Sequence, residues 1–252
     1  MTKRPDEAVD GPGFATLSMA SLLSETARRF PERPALHFAG STVTYGELWK
    51  QTCAYAGALR ARGIGRGSRV AMIVPNVPDF PRVYFAVLSL GAVVVPVHLL
   101  FKAREIEYVL QDSEADLVIA AAPMLAEAGP AAEAADLPLL MVLQPPSDDP
   151  DVKYPRLEAE AEVADPLVRH LPVHPTDAAT ILYTSGTTGQ PKGRGLSRLR
   201  SRAGALFAHR CLQPRPGRRR VRRASAVSCL WADGGDEHVL PLRSLNHSAS
   251  RI

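Results

Sequence analysis

Residues 184–193 bring together the side chains of this sequence that are best suited to bind an anion. The segment reads Thr-Ser-Gly-Thr-Thr-Gly-Gln-Pro-Lys-Gly and follows an apolar run at residues 178–183. Its glycines let backbone N–H groups turn toward an anion without a Cβ in the way, and its hydroxyl side chains add donors. Phosphate oxygens only accept hydrogen bonds, so such a loop with one ammonium group predicts a polyphosphate-binding site. The candidate binding residues are Thr184, Ser185, Gly186, Thr187, Thr188, Gly189 and Lys192, and Lys192 is also the candidate catalytic residue.

The spacing within this segment excludes two other motifs. A Walker phosphate loop counted from Gly186 requires glycine at position 191, where Pro191 stands, and Ser or Thr after its lysine, where Gly193 stands. A hydrolase nucleophile elbow requires glycine two positions before and two positions after its serine, and neither position around Ser185 is a glycine. A surface turn with a solvated lysine stays open as the alternative interpretation.

The elements that must position this loop alternate between β-type and helical patterns. A helix is expected at residues 19–30, then a hairpin over residues 35–44, and a capping box of Thr44 and Glu47 predicts the start of a second helix. Apolar β-type runs follow at residues 69–74, 93–97, 116–121, 137–143 and 178–183, with helical patterns at residues 79–90, 103–111 and 124–135. Residues 144–175 are expected to form a long surface connection. The alternation predicts a doubly wound α/β fold, with mixed or parallel sheets flanked by helices.

The charge distribution divides the chain near Gly193. Residues 194–252 contain 13 arginines, no lysine and 3 acidic residues, whereas the preceding residues contain 17 basic and 23 acidic residues. The arginine-rich run at residues 215–223 has little apolar periodicity and cannot pack as a core. We therefore expect a flexible N-terminus at 1–17, a folded domain at 18–193 that ends at the phosphate loop, and a divergent, disordered tail at 194–252. Because arginine codons are rich in C and G, a frameshift near Gly193 is a hypothesis for the origin of this tail.

The remaining composition favours a cytoplasmic protein without a metal site of its own. No apolar segment behind Lys3 and Arg4 resembles a secretory signal, and the most apolar stretch is short and interrupted for a membrane span. The three cysteines are scattered without a CxxC pair, which predicts neither a disulfide nor a metal site. At most, peripheral membrane contact is expected, and the oligomeric state is left open.

The segment from Tyr183 to Gly193 resembles the phosphate-loop signature of the adenylate-forming (AMP-binding) superfamily. Three upstream segments agree with that resemblance, which extends over residues 18–193: Thr-Tyr-Gly-Glu-Leu at 44–48, Gly-Ser-Arg-Val-Ala at 67–71, and Leu-Gly-Ala at 90–92 running to Pro96. Among the branches, the chain is most similar to acyl-CoA synthetases, specifically long- or medium-chain fatty-acid CoA ligases. The resemblance implies the N-terminal part of the ligase fold.

That resemblance also implies a two-step reaction. A carboxylate and ATP give an acyl-adenylate and pyrophosphate, and the acyl group then forms a thioester with coenzyme A. The residues at 184–189 would hold the β- and γ-phosphates, Lys192 would add charge as pyrophosphate leaves, and Mg²⁺ would share that load. ATP, Mg²⁺ and coenzyme A are therefore the implied cofactors, with a carboxylic (fatty) acid as the substrate.

Beyond Gly193 the sequence departs from the family pattern. The family's adenine-binding segment, ribose-binding aspartate, coenzyme A site and C-terminal domain do not follow in this sequence. We therefore expect a truncated fragment of an acyl-CoA synthetase that is inactive alone. Two alternatives are a nonenzymatic partner of an intact ligase and a weak binder of nucleic acid or anionic surfaces through the tail, without specific nucleic-acid recognition.

Overall fold

The computed structural model describes residues 18–143, 153–174, 176–184 and 192–197, all within one compact unit. In chain order its helices are α1 (Met19–Arg29), α2 (Tyr45–Ala61), α3 (Asp79–Ser89), α4 (Ala103–Asp112), α5 (Leu125–Ala134) and α6 (Leu157–Val163), with a short 3₁₀ helix at Ala122–Met124. Its strands are β1 (Pro34–Phe38), β2 (Ser41–Thr44), β3 (Arg69–Ile73), β4 (Val93–Pro96), β5 (Leu117–Ala121), β6 (Leu139–Val142), β7 (Ala178–Thr184) and β8 (Lys192–Ser197). The predicted alternation of strands and helices is confirmed.

The main sheet has six strands in the order β6-β5-β3-β4-β7-β8, and β1 and β2 form a separate antiparallel hairpin. Strands β3 to β7 run parallel, while β8 pairs antiparallel with β7 at the edge. Nearly every residue of β3 to β6 is buried, because helices cover both faces of the sheet. The expected α/β architecture with a mostly parallel sheet flanked by helices is therefore confirmed.

The helices pack in two groups, one on each face of the sheet. Helices α1, α2, α3 and α6 contact one another on one face, and α4 contacts α5 on the other. Buried residues of α4, including Ile106 and Val109, join a core cluster with alternate residues of the strands such as Ile73 and Val118. This division explains the buried apolar runs of the sequence, since each strand supplies side chains to two cores.

Local capping explains where two of the helices begin. The Thr44 hydroxyl accepts a hydrogen bond from the Glu47 N–H at 3.2 Å, and the Glu47 carboxylate accepts from the Thr44 N–H at 2.8 Å. This confirms the predicted capping box of α2. Ser18 and Ser21 form an equivalent reciprocal pair at the start of α1.

Two segments differ from the sequence-based expectation. The predicted surface connection at residues 144–175 contains helix α6, which is anchored by the buried residues Leu157 and Ala161. So short a helix, with charged residues at every second position, lacks the extended apolar periodicity that sequence analysis uses. Strand β8 continues to Ser197, four residues past the domain boundary predicted at Gly193. These residues complete an antiparallel ladder with β7.

The segment that follows α6 lies directly against α2 and α3. Leu167 donates its backbone N–H to the Cys53 carbonyl at 2.9 Å, and Leu171 donates to the Ser89 carbonyl at 2.7 Å. We call residues 164–174 the crossing segment, because it carries the chain from β6 at one edge of the sheet to β7 beyond β4. Backbone contact this close requires glycine at position 57, where a Cβ would overlap the carbonyl oxygen of Asp165.

We predict that Gly57→Ala destabilises the fold. In a helix interior alanine is normally more stabilising than glycine. At position 57, however, the added methyl group must displace the backbone of the crossing segment, and such overpacking costs about 1–3 kcal/mol. The free energy of unfolding, measured by urea denaturation, should fall accordingly. Gly65→Ala is the matched control, since a Cβ there meets no atom within 4 Å. Equal stability of the two variants would contradict the close approach at Gly57.

Candidate functional site

Strand β7 leads directly into the predicted phosphate loop. It runs parallel to β4, with Val94 opposite Thr180, so it ends at Thr184 on the same edge of the sheet as the carboxyl ends of β3 to β6. In open α/β sheets this edge is where ligands bind. The fold therefore delivers the loop to the edge at which a ligand-binding function is expected.

The β7–β8 hairpin fixes the two ends of the loop opposite each other. The antiparallel register pairs Thr184 with Lys192 and, one step back, Tyr183 with Gly193. Two of the predicted site residues are thus adjacent across the ladder. The other predicted residues lie outside the described residues: Ser185, Gly186, Thr187, Thr188 and Gly189.

One face of β7 is fixed by a tyrosine from helix α3. The Tyr84 hydroxyl and the Thr180 hydroxyl lie 3.0 Å apart, and both residues are buried. The Tyr84 ring also stacks on Phe80, with ring centroids 6.1 Å apart. These aromatic residues belong to the core beneath the strand.

The opposite face of β7 is fixed by a tyrosine of its own. The Tyr183 hydroxyl donates to a carboxylate oxygen of Asp112, the last residue of α4, at 2.5 Å. The ring of Tyr183 lies over Gly193 on the neighbouring strand. A Cβ at Gly193 would stand 2.9 Å from the ring carbon Cζ, closer than such atoms approach in proteins.

The environment of Tyr183 also changes its acidity. Burial raises the pKa of the Tyr183 phenol above its usual range, and the hydrogen bond to the Asp112 carboxylate acts in the same direction. The phenol therefore stays protonated and keeps its donor role through the neutral range.

Sequence reasoning did not identify Asp112, Thr180 or the contact between Gly193 and Tyr183. Side chains alternate between the two faces of a strand, and Ile181 and Tyr183 both pack against the α4–α5 core. The face on which Tyr183 lies could therefore be predicted from the sequence. The partner residue could not be, because Asp112 is 71 positions away along the chain.

A second polar cluster lies between α2 and α3. The Tyr55 hydroxyl donates to the buried Asp79 carboxylate at 3.0 Å, and Arg82 contacts the same oxygen at 3.0 Å while donating to Gln51. Burial raises the pKa of Tyr55, and the charges of Asp79 and Glu158 add to that shift. One of these hydrogen bonds is buried and two are partly buried, and together they join α2 to α3.

His98, just beyond the carboxyl end of β4, makes local contacts. Its Nδ1 atom accepts a hydrogen bond from the Leu100 N–H at 3.2 Å, and its ring centroid lies 5.5 Å from that of Phe101.

Within the described ranges no cluster of three or more His, Cys, Asp or Glu side chains could hold a metal ion. Among the helices described, none is long and apolar enough to span a bilayer.

Comparison with known proteins adds a family assignment to this geometry. The model of a family described as AMP-binding enzyme matches residues 23–229, which extends beyond the predicted boundary at Gly193. A feruloyl-CoA synthase from Amycolatopsis sp is 34% identical over 171 residues, which cover 68% of this chain and 31% of that protein. A syringomycin synthase from Pseudomonas syringae pv. syringae is 31% identical over 173 residues, covering 68% of this chain and 25% of that protein.

Solved structures share the fold as well. A long-chain-fatty-acid-CoA ligase from Archaeoglobus fulgidus superposes with a TM-score of 0.66 at 24% identity, over 77% of this chain and 39% of that one. The chain thus spans about a quarter to two fifths of the length of these relatives.

The raised pKa of Tyr183 predicts how stability depends on alkaline pH. In the unfolded chain the pKa of a tyrosine phenol is about 10. Because folding holds the phenol protonated, its stabilising contribution is complete below about pH 10 and is lost as the pH rises toward the folded-state pKa. The free energy of unfolding should therefore fall less between about pH 9 and pH 11 in Tyr183→Phe than in the wild type, as measured by urea denaturation. Parallel curves for the two proteins would contradict the prediction.

Proposed function

Because the chain belongs to the AMP-binding enzyme family, we propose that residues 184–192 bind the β- and γ-phosphates of ATP within an acyl-CoA synthetase. The observation that carries this proposal is the register of the β7–β8 hairpin, which sets Thr184 and Lys192 side by side at the carboxyl edge of the sheet. Seven residues rich in Gly, Ser and Thr connect these two positions. Their composition supplies donors, as a polyphosphate requires.

The chemistry of the proposed site follows from its donor set. ATP bound there would supply an activated phosphorus for attack by a carboxylate, with pyrophosphate as the leaving group. Backbone amides and hydroxyls of the loop hold the phosphates in place, and the Lys192 ammonium offsets the negative charge that grows on the leaving group. Mg²⁺ fits this role as an ion bound mainly by phosphate oxygens and water, which needs one or two protein ligands at most.

The acyl substrate and the thiol are proposed from the family relationship, and no described residue of the site is assigned to binding them. We propose a carboxylic acid, such as a fatty acid, as the acid that is activated and coenzyme A as the thiol acceptor. The support is family membership together with similarity to a CoA synthase at 34% identity.

We predict that Lys192→Met weakens binding of inorganic triphosphate in the presence of Mg²⁺. Loss of a charged hydrogen bond to phosphate costs about 1.5–3 kcal/mol, which is roughly a 10- to 100-fold rise in Kd. Isothermal titration calorimetry on the purified chain measures this directly, and inorganic triphosphate isolates the phosphate contacts from those to adenosine.

Lys50→Met is the matched control for that experiment. Lys50 is exposed on α2, takes no part in the hairpin, and its replacement removes the same charge from the chain. The control should bind triphosphate as the wild type does. A wild-type chain that does not bind triphosphate, or equal losses in the two variants, would overturn the proposed site.

We also propose that the chain alone does not complete the ligase reaction. It spans about a third of the CoA synthase it matches, and orientation of the acid and the nucleotide accounts for a large part of the rate enhancement in such reactions. A pyrophosphate-release assay with Mg·ATP and a panel of fatty acids should give negligible turnover, with a full-length feruloyl-CoA synthase and its own acid as the positive control. Turnover near that of the control enzyme would contradict this proposal.

A further inference from the structure

The residues around the end of β7 connect the loop to a rigid part of the fold. Asp112 ends helix α4, whose residues Ile106, Val109 and Leu110 are buried against the sheet. The hydrogen bond from Tyr183 to Asp112 therefore ties the last residue before Thr184 to a helix packed against the sheet. We call Tyr183, Asp112 and Gly193 the hairpin anchor.

The same ring restrains the returning strand. Tyr183 and Gly193 are partners in the antiparallel register, and the ring occupies the space that a side chain at Gly193 would need. Both strands are therefore restrained by one ring, at the pair next to Thr184 and Lys192. A slip of one residue would turn Tyr183 to the other face and break its bond with Asp112.

The backbone ladder between β7 and β4 is short, with Val94 of β4 opposite Thr180 of β7. Tyr84 fixes Thr180 on the α3 face, and the hairpin anchor fixes Tyr183 on the α4 face. Two side-chain contacts on opposite faces, three residues apart, thus oppose both rotation and sliding of the strand. The restraint reaches the ends of the loop, because Thr184 follows Tyr183 directly.

We propose that Tyr183 and Asp112 are positioning residues that hold Thr184 and Lys192, the two ends of the phosphate loop, in the register that polyphosphate binding requires. The inference rests on the proposed function, since it concerns how that loop meets a polyphosphate. A loop whose ends are fixed in advance loses less conformational entropy when it binds, so the anchor raises affinity without touching the ligand. Gly193 serves the same end by leaving room for the ring.

The test is a double-mutant cycle on binding of inorganic triphosphate with Mg²⁺ to the full chain, measured by calorimetry. Tyr183→Phe and Asp112→Ala should each raise Kd by about 5- to 30-fold, less than the loss of a direct contact from Lys192 to phosphate, because the anchor acts only through the position of the loop ends. The double variant should be no weaker than either single variant, because both remove the same contact. Asp112→Asn keeps a carbonyl oxygen that accepts the hydrogen bond from the phenol, and this variant should bind within about threefold of the wild type.

A second pair of variants approaches the anchor from β8. Gly193→Ala places a methyl group against the Tyr183 ring and should weaken triphosphate binding as Tyr183→Phe does. Gly195→Ala is its control on the same strand, since a Cβ there meets no atom within 4 Å. Urea denaturation of every variant separates a loss of fold from a loss of affinity, because a purely structural role lowers stability and leaves the Kd of the folded protein unchanged.

The outcomes separate this inference from the proposed function. If the wild-type chain does not bind triphosphate, the proposed function fails and this inference fails with it. If the wild type binds and the Tyr183 and Asp112 variants bind equally well, only the positioning role is overturned. Additive losses in the double variant, or Asp112→Asn as weak as Asp112→Ala, would also overturn it.

Discussion

Strand β7 lies between β4 and β8, and the ladder that pairs Thr184 with Lys192 determines where the chain leaves and re-enters the sheet. Every other feature of the candidate site depends on this register. The parallel neighbours bring the hairpin to the carboxyl edge, and tyrosine hydroxyls from Tyr84 and Tyr183 hold it from opposite faces. The short backbone pairing of β7 with β4 and these two side-chain contacts together fix the position of the hairpin, which is called the fixed point below.

The two faces of the sheet contribute to this fixed point in different ways. On the α3 face, Tyr84 meets Thr180 inside a buried core, where an unpaired hydroxyl would be costly. On the α4 face, Tyr183 reaches a carboxylate at the end of a helix, so its hydrogen bond is charge-assisted. The first contact joins α3, which follows β3, to the later strand β7. The second joins α4, which follows β4, to the same strand.

The sequence was informative wherever a local pattern decides the structure. Period and apolar runs predicted the strands from β3 to β7 and the helices α3, α4 and α5, and Thr44 with Glu47 predicted the start of α2. It was uninformative where contacts join distant segments. Helix α6 depends on Leu157 meeting a core built by other elements, and the bond between Tyr183 and Asp112 joins residues 71 positions apart. Such contacts have no signature in a single sequence, because their partners are chosen by the tertiary fold.

The crossing segment has a consequence for the order of folding. Strands β3 to β6 and their helices are contiguous in sequence, so a growing chain can assemble them while the rest is still being made. Strand β7 can join only after residues 164–174 have crossed over α2 and α3, and among the described strands its pairing with β4 joins residues farthest apart along the chain. Long-range pairing forms slowly, since loop-closure entropy must be overcome first. The outer side of β4 therefore remains open during synthesis, and the nascent chain is most exposed to mispairing at the edge of β4 that β7 will later cover.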